Sequence, residues 1–188
     1  DILGLADHLG WSTFHLVGHS MSTLVAQEVA LRAPERVSAL VLVAPIAPAG
    51  MGAPDAVVGF LQGIATNEAL RAEGLSGRWG ERLSPAWRAF KLRRWMASTG
   101  PGPARAYVRM FATGALSASH LPDIPVLLLA GEHDAEPFCE PTLRAWGAAA
   151  YPRAEVALCP AAGHYPMQET PVALATAIER FLLRTTAS

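Results

Sequence analysis

Phe14-His15-Leu16-Val17-Gly18-His19-Ser20-Met21-Ser22 reads as an apolar strand that runs straight into a tight turn. A helical pattern follows at once, set by Leu24, Val25 and Val29 with Ala26 and Ala30 filling in. Gly18 and Ser22 make the turn small-x-Ser-x-small around Ser20. A turn this tight leaves no room for bulky flanking residues. Its strain holds the serine hydroxyl out of the surface, at the positive end of the following helix. The string alone is weak evidence, because glycine and serine are common. Its place between a strand and a helix gives it weight. The plainer reading of Ser20 is a turn serine that caps the helix.

Two later segments carry matching chemistry. Pro125-Val126-Leu127-Leu128-Leu129-Ala130-Gly131-Glu132-His133-Asp134 is a buried strand that ends in glycine and polar residues. Ala161-Ala162-Gly163-His164-Tyr165-Pro166-Met167-Gln168-Glu169-Thr170-Pro171 sets a histidine in a loop just ahead of a C-terminal helix. The chain order is Ser20, Asp134, His164. Serine, acid, histidine is the order of the α/β hydrolases and differs from that of chymotrypsin and subtilisin. In these three spaced motifs the sequence resembles the α/β-hydrolase family from end to end.

The resemblance implies an α/β fold: a mostly parallel sheet of about four strands flanked by helices, with a helical cap insert. It implies a Ser20–His164–Asp134 triad. A serine hydroxyl is a poor nucleophile and needs an adjacent base. His164 is expected to take its proton and pass it to the leaving group. Asp134 is expected to fix the imidazole tautomer. The Met21 backbone N–H, at the helix start, is the oxyanion donor that can be named. Against these stand Glu132 or Glu136 as the acid, and His164 as a surface-loop histidine. His19 is expected to pack rather than catalyse.

Asp1 to Gly10 has helical spacing and ends at a glycine, as a helix C-terminus should. Members of the family carry strands and an oxyanion loop upstream of such a helix. The expectation is therefore a fragment, a truncated product or a minimal variant, slow as a catalyst with one oxyanion donor. By the same resemblance the strand at Thr13–Gly18 is a bare sheet edge. A homodimer, poor solubility or a missing N-terminal segment over that edge is expected.

The chain divides into three parts. Residues 1–45 form the first part of the core and 121–188 the second, with a helical cap insert at 46–120. Strands are expected near Thr13–Gly18, Ser38–Val43, Val126–Ala130 and Glu155–Leu158. Helices are expected near Met21–Arg32, Pro141–Ala149 and Pro171–Leu183. The insert is broken by glycines and prolines, from Gly74 to Pro103. Its aromatic residues offer Phe60, Trp79, Trp95 and Phe111 as an apolar substrate pocket; the plainer reading is the cap's own core. Its basic residues Arg88, Lys91, Arg93, Arg94, Arg105 and Arg109 either meet a substrate carboxylate or form a solvated helix face, and the solvated face is the plainer reading.

Composition narrows the function classes. The chain has 188 residues, 51% hydrophobic and 16% charged, which suits one domain with a sizeable core. A net charge of -1 gives no electrostatic case for nucleic acid or an anionic membrane. No apolar run approaches membrane-spanning length, and the first residues do not read as a signal peptide; a cytoplasmic location is expected. Cys139 and Cys159 lack metal-ligand spacing, and Cys159 reads as a small core residue. No cofactor is implied. The expected function is a carboxylesterase-like serine hydrolase that cleaves small apolar esters or related acyl compounds through an acyl-enzyme. The alternatives are a C–C bond hydrolase, lactonase or cofactor-free perhydrolase of the same fold, a non-catalytic small-molecule binder, or an inactive fragment.

Overall fold

Two runs of sequence build the centre of the molecule. Val37–Val43 (β2) and Val126–Gly131 (β3) are almost wholly buried, so both of their faces are covered. Alternate residues serve opposite faces, as a strand dictates. Leu40, Leu42, Val126, Leu128 and Ala130 pack on one side with Ala26, Val29, Ala30, Leu143 and Tyr151. Ala39, Val41, Val43, Leu127 and Leu129 pack on the other with Leu174 and Phe181. Each fully buried leucine in these layers stabilises the fold by about 1.5–3 kcal/mol.

The computed structural model describes residues 1–67, 69–73, 82–98, 100–116 and 121–186. The core elements are α1 (Ile2–His8), β1 (Phe14–His19), α2 (Ser22–Arg32) and β2, then β3, α6 (Glu140–Ala150), β4 (Ala154–Cys159), α7 (Pro166–Glu169) and α8 (Pro171–Thr186). Between β2 and β3 lie α3 (Asp55–Thr66), α4 (Pro85–Ser98) and α5 (Pro101–Thr113). The four strands form one parallel sheet in the order β1-β2-β3-β4. This is the sheet expected from the sequence, with each strand end within one residue of its expected place. β1 is an edge strand, and Val17 on it is 55% exposed. No helix among the described residues is long and apolar enough to cross a membrane.

Helices α2 and α6 cover one face of the sheet, with Ile2 and Leu3 of α1 packed beside them. Helix α8 covers the other. The segment between β2 and β3 has a small core of its own, in which Ala65, Ala104 and Val108 meet Val58, Leu61 and Phe111. Apolar contacts join it to the rest of the protein. Phe111 and Met51 pack on Leu24, Ala44, Ile46 and Phe138. Leu83, Leu92 and Trp95 pack with Tyr165. Cys159 is buried in the sheet, and burial pushes its thiol up.

Candidate active site

The turn after β1 is one of the places where the backbone leaves its ordinary conformations. Ser20 has φ +51°, in the left-handed region that costs a side-chain-bearing residue free energy. Neighbouring hydrogen bonds hold it there. The Ser20 N–H donates to the Val43 carbonyl, 2.9 Å, extending the β1–β2 ladder into the turn. The Ser22 hydroxyl accepts from the His19 N–H at 2.8 Å and donates to the His19 carbonyl at 2.9 Å, closing the loop. A Cβ on Gly18 would stand 3.0 Å from Ser22 O and Thr23 Cα, so a larger residue there would force the turn open.

Beneath the turn lies a buried polar network. Thr23 Oγ1 donates to the Ser20 carbonyl at 2.6 Å and accepts from the Ile46 N–H at 3.1 Å. Gln27 Nε2 donates to the carbonyls of Thr23 and Ile46, 3.0 and 3.1 Å. The Tyr151 hydroxyl donates to Gln27 Oε1 at 2.9 Å. Thr23, Gln27 and Tyr151 are all buried, so each bond is made away from water and each loss leaves an unpaired group. Burial raises the Tyr151 phenol far above its ordinary range, so it remains a neutral donor.

The tip of β3 and the loop after β4 are tied together. His133 N–H donates to Ala162 O at 2.8 Å, and Glu132 Oε2 accepts from Ala161 N–H at 2.7 Å. A Cβ on Gly131 would lie 2.1 Å from the Gly163 carbonyl oxygen, an approach that only glycine allows. This contact sets Asp134 beside His164. His164 Nδ1 lies 2.8 Å from Asp134 Oδ2, and His164 Nε2 lies 3.0 Å from Ser20 Oγ. The second Asp134 oxygen accepts from the Ala135 N–H at 2.9 Å. Asp134 and His164 side chains are 2% and 5% exposed. Ser20, His164 and Asp134, 144 and 30 residues apart along the chain, thus form one hydrogen-bonded line. Met21 is the N-cap of α2, with its backbone at the helix start. Glu136 is engaged elsewhere, with Thr142 and Cys139.

Rings wall the imidazole in. Phe138 lies 4.6 Å from it between centroids, and Tyr165 lies edge-on at 5.2 Å. These are the same two residues on which the α3–α5 segment rests. His19 stands at 5.2 Å from His164 and 5.4 Å from Tyr165. Its Nε2 lies 2.7 Å from the His164 carbonyl oxygen, so Nε2 carries the proton. Burial, chiefly, lowers the His19 pKa to about 4, with the His164 ring adding to the effect, so the side chain is neutral at pH 7.

The sequence reading assigned no role to Glu169, which proves central to the geometry. Its side chain is 1% exposed. One oxygen accepts from the Gly163 N–H at 3.0 Å and the other from the Tyr165 N–H at 3.1 Å, so the carboxylate grips the backbone on both sides of His164. Arg82, from the segment between the strands, completes the set through its Nε. The available signal was an acid five residues after the histidine, on a helix of four residues. Periodicity cannot find a buried face on so short an element.

The aromatic residues read as a pocket have different fates. Trp95 borders a cavity of about 350 Å³ with Lys91, Arg94, Ser98 and Tyr165. Phe111 packs between the segment's core and the Leu24–Phe138 cluster. Phe60 is 59% exposed on α3, a solvent-facing position. Trp79 lies outside the described residues. Among the described residues no group of His, Cys, Asp and Glu side chains is gathered to hold a metal ion.

Comparison with known proteins agrees with this architecture. A thermophilic esterase from Thermogutta terrifontis is 26% identical, with TM-score 0.82 over 98% of this chain and 70% of that one. A hydrolase from Pseudomonas aeruginosa PA01 is also 26% identical, with TM-score 0.78 over 97% of this chain and 69% of that one. The enol-lactonase from Burkholderia xenovorans LB400, 23% identical, shares the fold with TM-score 0.77 over 97% and 70%. The family model described as the alpha/beta hydrolase family matches residues 1–177. A parallel sheet flanked by helices is consistent with that match, and the chain belongs to the α/β-hydrolase family.

Proposed function

We propose that the chain is a serine hydrolase that cleaves a small ester through an acyl-enzyme. The observation that carries this reading is the unbroken line from Ser20 Oγ to His164 at 3.0 Å and on to Asp134 at 2.8 Å. With Nδ1–H donating to Asp134, the Nε2 lone pair faces the Ser20 hydroxyl. His164 takes the hydroxyl proton as Oγ attacks the ester carbonyl carbon. The negative charge that develops on the carbonyl oxygen meets the Met21 N–H at the start of α2. The intermediate collapses, the C–O bond to the alcohol breaks, and His164 Nε2 returns its proton to the leaving oxygen. Water then attacks the acyl-enzyme by the same route in reverse and frees the acid.

The α3–α5 segment acts in this reading as a cap, since it rests on Phe138 and Tyr165 beside the imidazole. The 26% identity to a thermophilic esterase supports an ester as the substrate. The test is labelling with a fluorophosphonate probe, followed by identification of the labelled peptide. The wild type is expected to label on Ser20, Ser20→Ala not at all, and His164→Ala at a small fraction of the wild-type rate. A folded wild-type chain that does not label would overturn the proposal.

A further inference from the structure

Helix α4 turns one side toward the loop that carries His164. Lys91, Arg94, Trp95 and Ser98 recur at the three- and four-residue spacing that stacks side chains on one helix face. With Tyr165 they line an open cavity of about 350 Å³. The volume suits a small molecule. Tyr165 belongs to both the cavity wall and the surroundings of the imidazole, since its ring lies 5.2 Å from that of His164. The cavity therefore adjoins the candidate active site.

Its chemistry is one-sided. Lys91 and Arg94 bring two cations and Ser98 a hydroxyl. Lys91 Nζ sits 5.4 Å from the centre of the Tyr165 ring. Neither cation is paired with a carboxylate among the described residues, and the nearby acids are occupied: Glu169 with Arg82 and two backbone N–H groups, Asp134 with His164. Burial holds the Lys91 ammonium below its ordinary range. An amphipathic helix ordinarily turns its cations to open water, where they are fully hydrated. Here one is half-buried against aromatic walls.

We infer that this cavity is a subsite for a carboxylate on the substrate, gripped by Lys91 and Arg94 while the scissile ester reaches Ser20. The inference rests on the hydrolase reading above and narrows it to an ester that carries a free acid group at its far end. Arg94 supplies the planar fork that a carboxylate accepts in two bonds, and Lys91 a point charge. The Trp95 and Tyr165 rings flank the chain that joins acid to ester.

The experiment compares the mono-para-nitrophenyl ester of adipic acid with para-nitrophenyl heptanoate, its neutral counterpart of similar length. The quantity read is the ratio of kcat/KM for the two. The wild type is expected to favour the acid ester about tenfold or more, as charged hydrogen bonds allow. Lys91→Gln is expected to cut the ratio about tenfold, Arg94→Gln by less, and Lys91→Arg to restore most of it. Added salt narrows the wild-type ratio, because the cavity is open to solvent. A second arm titrates adipate against the tryptophan fluorescence of a Ser20→Ala chain, which reports binding without turnover. Saturable binding that Lys91→Gln abolishes supports the subsite. Should neither ester be hydrolysed while adipate still binds through Lys91, the subsite stands and the hydrolase reading falls. Should both esters be hydrolysed with a ratio that no substitution moves, and adipate fail to bind, the subsite is overturned and the hydrolase reading stands. Absence of both hydrolysis and adipate binding overturns both.

Discussion

Ser20 and His164 sit 3.0 Å apart, yet they are held by opposite kinds of chemistry. Beneath Ser20 the support is neutral and internal: Thr23, Gln27 and Tyr151, all buried, all in the sheet-and-helix core. Around His164 the support is charged. One carboxylate, Glu169, grips the backbone on both sides of the histidine and is itself paired with Arg82 of the inserted segment. The first support belongs to the folding core, so it costs stability to disturb. The second orders the loop that carries His164, so in the proposed reaction disturbing it is expected to cost turnover. His19 bridges the two: it precedes Ser20 on the chain but hydrogen-bonds the His164 carbonyl.

Substitutions at three positions put this contrast at risk. Glu169→Ala is expected to have the largest effect, about a hundredfold loss in kcat with KM little changed, since a displacement of an ångström in a catalytic group has that scale. Glu169→Gln, which keeps one acceptor, should fall between. Steady-state kinetics on the esters above would measure it, and a loss under about threefold would erase the distinction between the two supports. Tyr151→Phe comes next. It leaves Gln27 Oε1 unpaired inside the core and is expected to cost about 1–3 kcal/mol of stability in denaturant unfolding. The activity of the folded protein should stay within about threefold of wild type; a much larger loss would make the core network part of the catalytic geometry. At pH 7 the smallest effect belongs to His19→Gln, whose contribution shows only as the pH falls. His19 has its pKa lowered to about 4 in the folded chain, against about 6.5 when unfolded. The unfolded chain therefore binds the extra proton first as pH falls. Stability present above pH 6.5 is lost on the way down to about 4, at no more than about 1.4 kcal/mol per pH unit. Thermal melts from pH 7 to 4 should fall less steeply in His19→Gln than in wild type. Equal slopes would mean that His19 is hydrated and bridges nothing.

Much of this was legible from residues alone, and for a physical reason. The strands at Val37–Val43 and Val126–Gly131 are apolar on both faces because both are covered, and that leaves an unbroken run in the sequence. Ser20, Asp134 and His164 stand at turns where glycine and a change of periodicity mark the backbone. What could not be read was the second layer. Glu169 is a buried charge on a helix too short to have a pattern. Gln27 looks like any polar residue on an amphipathic helix until Tyr151, 124 residues away, is seen to meet it. Lys91 and Arg94 read as a solvated face because spacing along a helix does not say what the face looks at. Phe60 shows the converse, an aromatic residue in an amphipathic pattern that ends in solvent.

The rings around His164 have a mechanical consequence. Phe138 at 4.6 Å and Tyr165 at 5.2 Å brace the imidazole, each loaded from behind by the inserted segment, and Asp134 holds Nδ1. A half-turn of the ring about its bond to the chain would need both walls to give way. In the proposed reaction the same nitrogen must therefore both collect the proton and deliver it. The imidazole works as a fixed relay with no rotary step, and it returns to rest by giving its proton to the departing alcohol in the first half-reaction and to Ser20 Oγ in the second.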